Sequence, residues 1–325
     1  MNAAVQRTAA RATRARREKV VIVTRKTVLE ELIERFNTVG QARFYLEHAG
    51  QDFASIEALH AQYHAVLEQV RRLVPAGVKQ QVIDRGFLPQ FSFAPVDLIV
   101  VVGPDGLVVN TAKYLNGQPI VAVNPDPQRI DGVLLPYTVN TIGPALLASI
   151  YSEPSIKKIS VAEAVLNDGQ RLLAFNDLFI GSKSHVSARY HLQVGSESES
   201  QSSSGIIVST GAGSTGWLKS VYAGATRVIE ALGGQVVPPP DGGRFAWDAE
   251  HLVYAVREPW PSKSSAANLV YGTVTAKQPL VITSQMSTHG VIFSDGVEAD
   301  YVEFNAGFTA TIRVAEQKAH LVVPA

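Results

Sequence analysis

Leu98-Ile99-Val100-Val101-Val102, followed at once by Gly103-Pro104-Asp105-Gly106, is the stretch on which the fold turns. An unbroken branched apolar run, without alternation, reads as a strand buried on both faces, and such strands belong to parallel sheets. The Gly-Pro-Asp-Gly turn breaks it, a helix-like segment runs to Leu115, and Pro119 to Val123 is a second β-rich run. Upstream, Val20 to Val23 is another short buried strand. Thr27 is placed to cap a helix carrying Leu29, Leu32, Ile33 and Phe36. Ser55 opens a longer helix with Ile56, Leu59, Tyr63, Val66, Leu67, Val70 and Leu73 on one face, stopped by Pro75-Ala76-Gly77, and Gln81 to Ile83 makes a small strand. Strands alternating with helices predict an α/β layer.

Past Ala148 the rhythm changes. Val161 to Leu166 and Leu172 to Ile180 are short β-like runs, and Val186, Ala188, Tyr190 and Leu192 alternate with polar residues at period two. Gly195 to Ser204 (GSESESQSSS) is low in complexity and reads as an exposed hairpin tip. Ile206 to Val208 is a strand, Gly211 to Gly216 a glycine-rich turn, and Trp217 to Leu232 a helix ended by Gly233-Gly234. From His251 onward the chain is short β-runs between turn residues. The expected organisation is a basic tail (1–18), an α/β, Rossmann-like N-terminal domain (19–147) and a β-rich C-terminal domain (148–325) built on antiparallel pairing.

A chain of 325 residues fits two domains of about 100–200 residues each. Lys+Arg and Asp+Glu both number 29, which argues against an electrostatically driven nucleic-acid binder. The basic stretch is confined to Arg7, Arg11, Arg14, Arg16 and Arg17, a composition that suits a transit peptide, a nucleic-acid arm or, as read here, a solvated tail. The absence of cysteine excludes disulfides, zinc–thiolate sites, iron–sulfur clusters and a cysteine nucleophile. No apolar run approaches the ~18–20 residues of a membrane span, and no secretory h-region follows the N-terminus, so a cytoplasmic protein is expected.

Three motifs carry chemistry. Gly103-Pro104-Asp105-Gly106 sits where α/β sheets place ligand-binding turns, outside the carboxyl end of a strand, although an ordinary β-turn has the same composition. Gly211-Ala212-Gly213-Ser214-Thr215-Gly216 matches G-x-G-x-x-G, follows a strand and opens a helix. A dinucleotide fingerprint also needs an acidic residue about 20 positions on, at the end of the next strand, but here Glu230 sits inside the helix and the chain runs on into Pro238-Pro239-Pro240, which leaves a helix N-terminus with hydroxyls for a nucleotide's polar groups. Asn176-Asp177 interrupts an apolar stretch, and burying an amide beside a carboxylate is costly unless a turn or a ligand's hydroxyls satisfy them. The histidines are read as lacking metal-ligand spacing, with His185, His191, His251, His289 and His320 as surface or satisfied core residues. No metal is expected on protein ligands. These residues point to a nucleotide-like ligand between an α/β and a β-rich domain.

Several segments, in order, resemble the NAD kinase family and its longer mitochondrial-type branch. Val100 to Leu115 (VVVGPDGLVVNTAKYL) looks like the family's V-x-x-G-G-D-G-T turn and helix, and Pro119 to Gly132 (PIVAVNPDPQRIDG) is similar to P-[IV]-x-G-V-N-T-D-P-x-R-x-x-G. Phe175 to Tyr190 (FNDLFIGSKSHVSARY) looks like L-N-E-x-F-I-G running into R-A-S-Y-Y, and Ser203 to Trp217 (SSGIIVSTGAGSTGW) resembles S-S-G-x-x-x-x-T-G-T-G-S-x-x-W. Val256-Arg257-Glu258-Pro259 and Ser294-Asp295-Gly296 also have counterparts. The resemblance implies a two-domain NAD kinase-like fold whose last segment, about 305–325, returns to the first domain. It implies transfer of the γ-phosphoryl of ATP to the adenosine 2′-hydroxyl of NAD, with Mg2+ accompanying ATP, in a homodimer or higher homo-oligomer.

In residues, the resemblance makes Asp105 catalytic, orienting or deprotonating that hydroxyl. It assigns NAD binding to Gly106, Asn176, Asp177, Thr215, Gly216, Trp217 and Ser220, and a phosphate or nucleotide turn to Gly103, Thr210, Gly211, Gly213 and Ser214. The departures fall on the first motif. Pro104 replaces the family's second glycine and removes an N–H, and Leu107 replaces its threonine and removes a hydroxyl. The alternative is therefore a catalytically impaired relative that binds NAD(P) or phosphorylates another ligand.

Overall fold

The branched apolar runs of the first half assemble as a parallel sheet because each is buried on both faces. The structure, a computed structural model, describes residues 16–237 and 239–324. It divides into one unit reaching Lys157 and taking back the chain from His320, and a second unit, Lys158–Ala319.

In the first unit, β1 (Lys19–Thr24) leads to α1 (Val28–Phe36), α2 (Val39–His48), α3 (Phe53–Leu73) and β2 (Lys79–Asp84). Then come β3 (Leu98–Val102), α4 (Asp105–Ala112), β4 (Pro119–Val123) and α5 (Ile142–Tyr151). The strand order is β2-β1-β3-β4, every pair parallel. Leu98 to Val102 are wholly inaccessible to solvent, so five side chains on both faces of β3 count toward the core. Val70 of α3 and Ile142, Leu146 and Ile150 of α5 join Val20, Ile22, Val100 and Val121 in that core.

Thr27 does cap α1, and reciprocally: its hydroxyl accepts from Glu30 N at 3.3 Å and its N–H donates to Glu30 Oε2 at 2.7 Å. The longer helix opens earlier than Ser55. Asp52 caps it through Ala54 N at 3.0 Å, and Phe53 anchors it in the core. Neither α2 nor α5 was expected. The first buries only Ala42 and Leu46, too thin a stripe to stand out. The second opens with Gly143-Pro144, which reads as a breaker but is tolerated in a first helical turn. Residues 1–15 of the basic tail lie outside the described residues. Arg16 and Arg17 both donate backbone N–H to Ile150 O, at 2.9 and 3.2 Å.

The second unit holds β5 (Ile156–Leu166), β6 (Arg171–Ala174), β7 (Asp177–Ser182), β8 (Ala188–Val194), β9 (Glu197–Ser203) and β10 (Ile206–Ser209). After α6 (Trp217–Ala231) come β11 (His251–Val256), β12 (Tyr271–Thr275), β13 (Leu280–Ser284), β14 (Gly290–Ser294), β15 (Val297–Glu303) and β16 (Thr309–Val322). One antiparallel sheet runs β12-β11-β10-β7-β14-β15. The other contains β16-β13-β8-β9, with β5 and β6 attached. Leu178 and Ile180 of one sheet and Tyr190, Leu192 and Ile282 of the other contribute to one core. The last residues of β16 rejoin the first unit, His320 and Leu321 pairing in parallel with Pro119 and Ile120 of β4.

The stretch read as a hairpin tip is a strand. Glu197 to Ser203 pair residue for residue with β8, leaving only Gly195 (φ 60°) and Ser196 as the turn. Its polar residues alternate, and the inward ones are satisfied rather than apolar. Tyr190 donates to Gln201 Oε1 at 3.0 Å, and its hydroxyl lies 2.7 Å from that of Ser203. Burial pushes the Tyr190 phenol well up.

Candidate functional site

In the second unit, the chain at Phe175-Asn176-Asp177 is clamped from two sides. Asp295, in the turn between β14 and β15 with φ 55°, accepts from the N–H groups of Phe175 (3.0 Å), Asn176 (2.6 Å) and Asp177 (3.2 Å). Its own N–H donates to Asp177 O at 2.9 Å. From the other side, Thr210 gives its hydroxyl to Phe175 O at 2.6 Å and its N–H to Asn176 O at 2.9 Å. The backbone here has its partners, so the side chains remain for something else.

Asp177 Oδ1 is enclosed and has no hydrogen-bond partner. Burial raises the carboxyl to about 7, against a hydrogen bond from Ser209 that lowers it and with the charge of Asp295 raising it further. A buried acceptor without a donor is costly, and such groups cluster where a ligand supplies the donor.

Asp177 lines a cavity of about 460 Å³ together with Phe179, Lys183, Trp217, Arg257 and Phe293. Three of these rings are stacked: Phe179 lies 5.8 Å from Trp217 at 13° and 6.2 Å from Phe293 at 22°. The Arg257 guanidinium sits 5.6 Å over Trp217. Phe179 can lie against the sheet only because its neighbours have no side chains. A Cβ on Gly205 would approach the ring to 2.5 Å and one on Gly181 to 2.7 Å. Flat aromatic surface, a carboxyl oxygen without a donor and two cations suit a planar heteroaromatic ring carrying hydroxyls and phosphate.

The glycine-rich turn divides by burial. A Cβ on Gly211 would come 1.9 Å from Ala246 O, and one on Gly213 2.3 Å from Asn176 O. Ser214 donates to Gly211 O at 2.6 Å, and Gly213 N donates to the Thr210 hydroxyl at 3.2 Å. Thr210, Gly211, Gly213 and Ser214 are thus buried and spend these groups on packing three backbone segments together. Thr215, Gly216, Trp217 and Ser220 are exposed at the start of α6.

The first unit carries the other motif. Pro104 precedes α4, Asp105 and Gly106 open it, and Asp105 Oδ1 accepts from Leu134 N at 2.6 Å. Leu107 is buried, and its Cδ2 lies 2.7 Å from where a Cβ on Gly103 would stand, so the side chain fills the inside of the turn. Opposite, Asn124 organises the loop after β4: its Nδ2 donates to Ile130 O at 2.9 Å and its Oδ1 accepts from Asp126 N at 3.0 Å. Gly132, at φ 67°, keeps clear of that amide.

Sequence reasoning missed the aromatic wall of Phe179 and Phe293, whose signal was alternation within β7 and β14. It also missed a side-chain cluster. The expectation of no metal-ligand spacing is corrected: His60 and His64 stand four apart on α3, beside Glu30 of α1. No helix among the described residues is long and apolar enough to cross a membrane.

No family model matches the chain, and no curated protein is significantly similar to it in sequence. Solved structures are similar in fold. Yeast NADH kinase, complexed with NADH, superposes with a TM-score of 0.59 at 13% identity, over 95% of this chain and 84% of that one. An NAD kinase from Archaeoglobus fulgidus, in complex with ATP, gives a TM-score of 0.54 at 17% identity, over 94% of this chain and 93% of that one. The chain thus has the two-domain architecture of NAD kinases, an α/β unit and a β-rich antiparallel unit.

Proposed function

We propose that this protein is a phosphotransferase acting on NAD: the 2′-hydroxyl oxygen of the adenosine ribose attacks the γ-phosphorus of ATP, ADP leaves, and NADP forms. The observation that carries this reading is Asp177, whose Oδ1 has no partner, in one cavity with the stacked rings of Phe179 and Trp217, in a fold shared with NAD and NADH kinases. Asn176 and Asp177 receive ribose hydroxyls, Thr215, Gly216 and Trp217 receive the adenine, and Gly106 and Ser220 complete the NAD contacts. Asp105 takes the proton of the attacking hydroxyl on the oxygen that Leu134 N does not occupy. Gly103, Thr210, Gly211, Gly213 and Ser214 shape the turns around the nucleotides. Mg2+ enters with ATP and neutralises its phosphates. On this reading the protein works in the cytoplasm as a homodimer or higher homo-oligomer, without nucleic acid or membrane.

A second reading rests on the same turn. Pro104 offers no N–H and Leu107 is buried, so this stretch has fewer donors for a phosphate than a Gly-Gly-Asp-Gly-Thr sequence. That favours an NAD(P)-binding relative impaired in catalysis. The test is NADP formation from NAD, ATP and Mg2+, run beside thermal unfolding with NAD. Turnover supports the kinase. A thermal shift without turnover selects the impaired relative, and the absence of both turnover and shift defeats both readings.

A further inference from the structure

We propose that Glu30, His60 and His64 form a binding site for a divalent transition-metal ion of the zinc class, in the first unit and independent of the nucleotide reading. One ligand atom from each residue lies within 4.8 Å of the other two. His60 and His64 are one helical turn apart on α3, so both rings leave the same face, with centroids 4.4 Å apart. Glu30 reaches them from the first turn of α1, its Oε1 3.1 Å from His64 Nε2. A tetrahedral ion with bonds of about 2.0–2.2 Å spaces its ligands by about 3.3–3.6 Å. The observed spread closes to that with side-chain shifts of about 1 Å.

Two of the ligands, Glu30 and His60, are already oriented by the cap of α1, and His64 is held in turn by Glu30. Thr27 N–H holds Glu30 Oε2 at 2.7 Å, which leaves Oε1 toward the histidines. The Thr27 hydroxyl lies 2.8 Å from His60 Nδ1. With that nitrogen as donor, Nε2 of His60 carries the lone pair for a metal, the outer-shell arrangement that fixes a ligating imidazole. The capping box therefore serves both the helix and the ligand set.

The donors decide the ion. Two imidazoles and one carboxylate suit zinc, cobalt(II) or nickel(II), whereas magnesium and calcium take oxygen ligands. All three residues are half-buried, which limits competition from water without closing the site. His60 also lines a cavity of about 360 Å³ with Arg25, Lys26 and Arg129, which gives water or an anion access to that ligand. A bound ion would tie the start of α1 to the middle of α3, two helices otherwise joined by a small cluster around Leu29, Leu46 and Phe53.

The experiment titrates Zn2+ into chelator-stripped full-length protein, with calorimetry and thermal unfolding as readouts. One ion per chain and a raised Tm are expected. His60→Gln and His64→Gln should each abolish the saturable phase and the shift, while Thr27→Val, which removes the hydroxyl that both caps α1 and meets His60 Nδ1, should weaken binding about 10-fold or more. No saturable phase in the wild type, or an unchanged shift in both histidine variants, overturns the proposal. Should those variants not fold, Co2+ added to the wild type decides. Paramagnetic broadening must then select two of the eight histidine rings, and broadening of none, or of more, overturns it.

Discussion

Two aspartates open two elements, Asp105 at α4 and Asp177 at β7, and the protein treats them in opposite ways. Asp105 is already engaged, its Oδ1 receiving Leu134 N at 2.6 Å. Asp177 has one oxygen enclosed with no donor, and burial lifts its carboxyl to about 7. A carboxylate oxygen with a donor is held in place by it. An unsatisfied one stores a penalty that a ligand's hydroxyl relieves on binding. The proposed roles, one group acting and one holding, rest on that difference in environment rather than on residue type.

The sharpest way to break the comparison is to exchange charge for amide at each. Asp105→Asn should lower NADP formation about 10²–10⁴-fold while leaving the NAD-induced thermal shift in place, because an amide orients a hydroxyl but does not take its proton. Turnover that survives this change removes Asp105 from the reaction.

Asp177 has a pH signature. Its carboxyl keeps a proton in the folded chain up to about pH 7 but loses it near pH 3.9 when unfolded. The folded state binds more protons between those values, so stability falls as pH rises through that window, by at most about 4 kcal/mol. Asp177→Asn should flatten that decline in urea unfolding followed from about pH 4 to about pH 8. In the wild type, NAD should bind more tightly as pH rises past 7, since its hydroxyls donate to the ionised form. An unchanged slope in the variant would show that Asp177 does not titrate there.

Asp295 lines the same cavity and holds the backbone that carries Asp177. Asp295→Ala leaves the N–H groups of Phe175, Asn176 and Asp177 without their shared acceptor and should cost about 2–3 kcal/mol in denaturant unfolding. NAD binding should fall with it. A loss of stability with affinity intact would separate the clamp from the cavity.

The smallest effect concerns the departures around Asp105. Leu107→Thr exchanges a buried leucine for a smaller polar residue and should cost about 1–3 kcal/mol of stability. Pro104→Gly, at a half-exposed cap, should cost less. If the pair raises NADP formation despite that loss, the turn is an impaired version of a phosphate-binding one. If activity falls with stability, the turn is built around proline and leucine as they stand.

Much of the fold was legible because burial leaves period and composition behind. Leu98 to Val102 reads as a buried strand, and Thr27 ahead of a periodic apolar run reads as a helix cap, although sequence reasoning missed the reciprocal bond from Glu30 that makes it a capping box. Asn176-Asp177 stood out for a physical reason too, since polar pairs inside apolar runs need an explanation. What stayed hidden was encoded in partners distant in sequence. β9 looked like an exposed tip because its inward residues are polar and owe their burial to Tyr190 across the hairpin. The donors holding Phe175 to Asp177 in place are met by Asp295, some 118–120 positions away. His60 and His64 share a face by helical period alone, but Glu30 joins them only where α1 packs on α3.

By itself, then, the sequence determined the alternation of strand and helix in the first half, the β-rich second half, the turns at Gly103 and Gly211, and the polar pair inside an apolar run. These are properties of local backbone preference and of side-chain period, which need no distant partner. The tertiary structure alone decided which glycines serve packing, which carboxylate is satisfied and which is left waiting, and which rings stack into a wall. Those outcomes depend on what lies within about 4 Å in space, and solvation and hydrogen bonding act over that distance regardless of how far apart the residues lie along the chain.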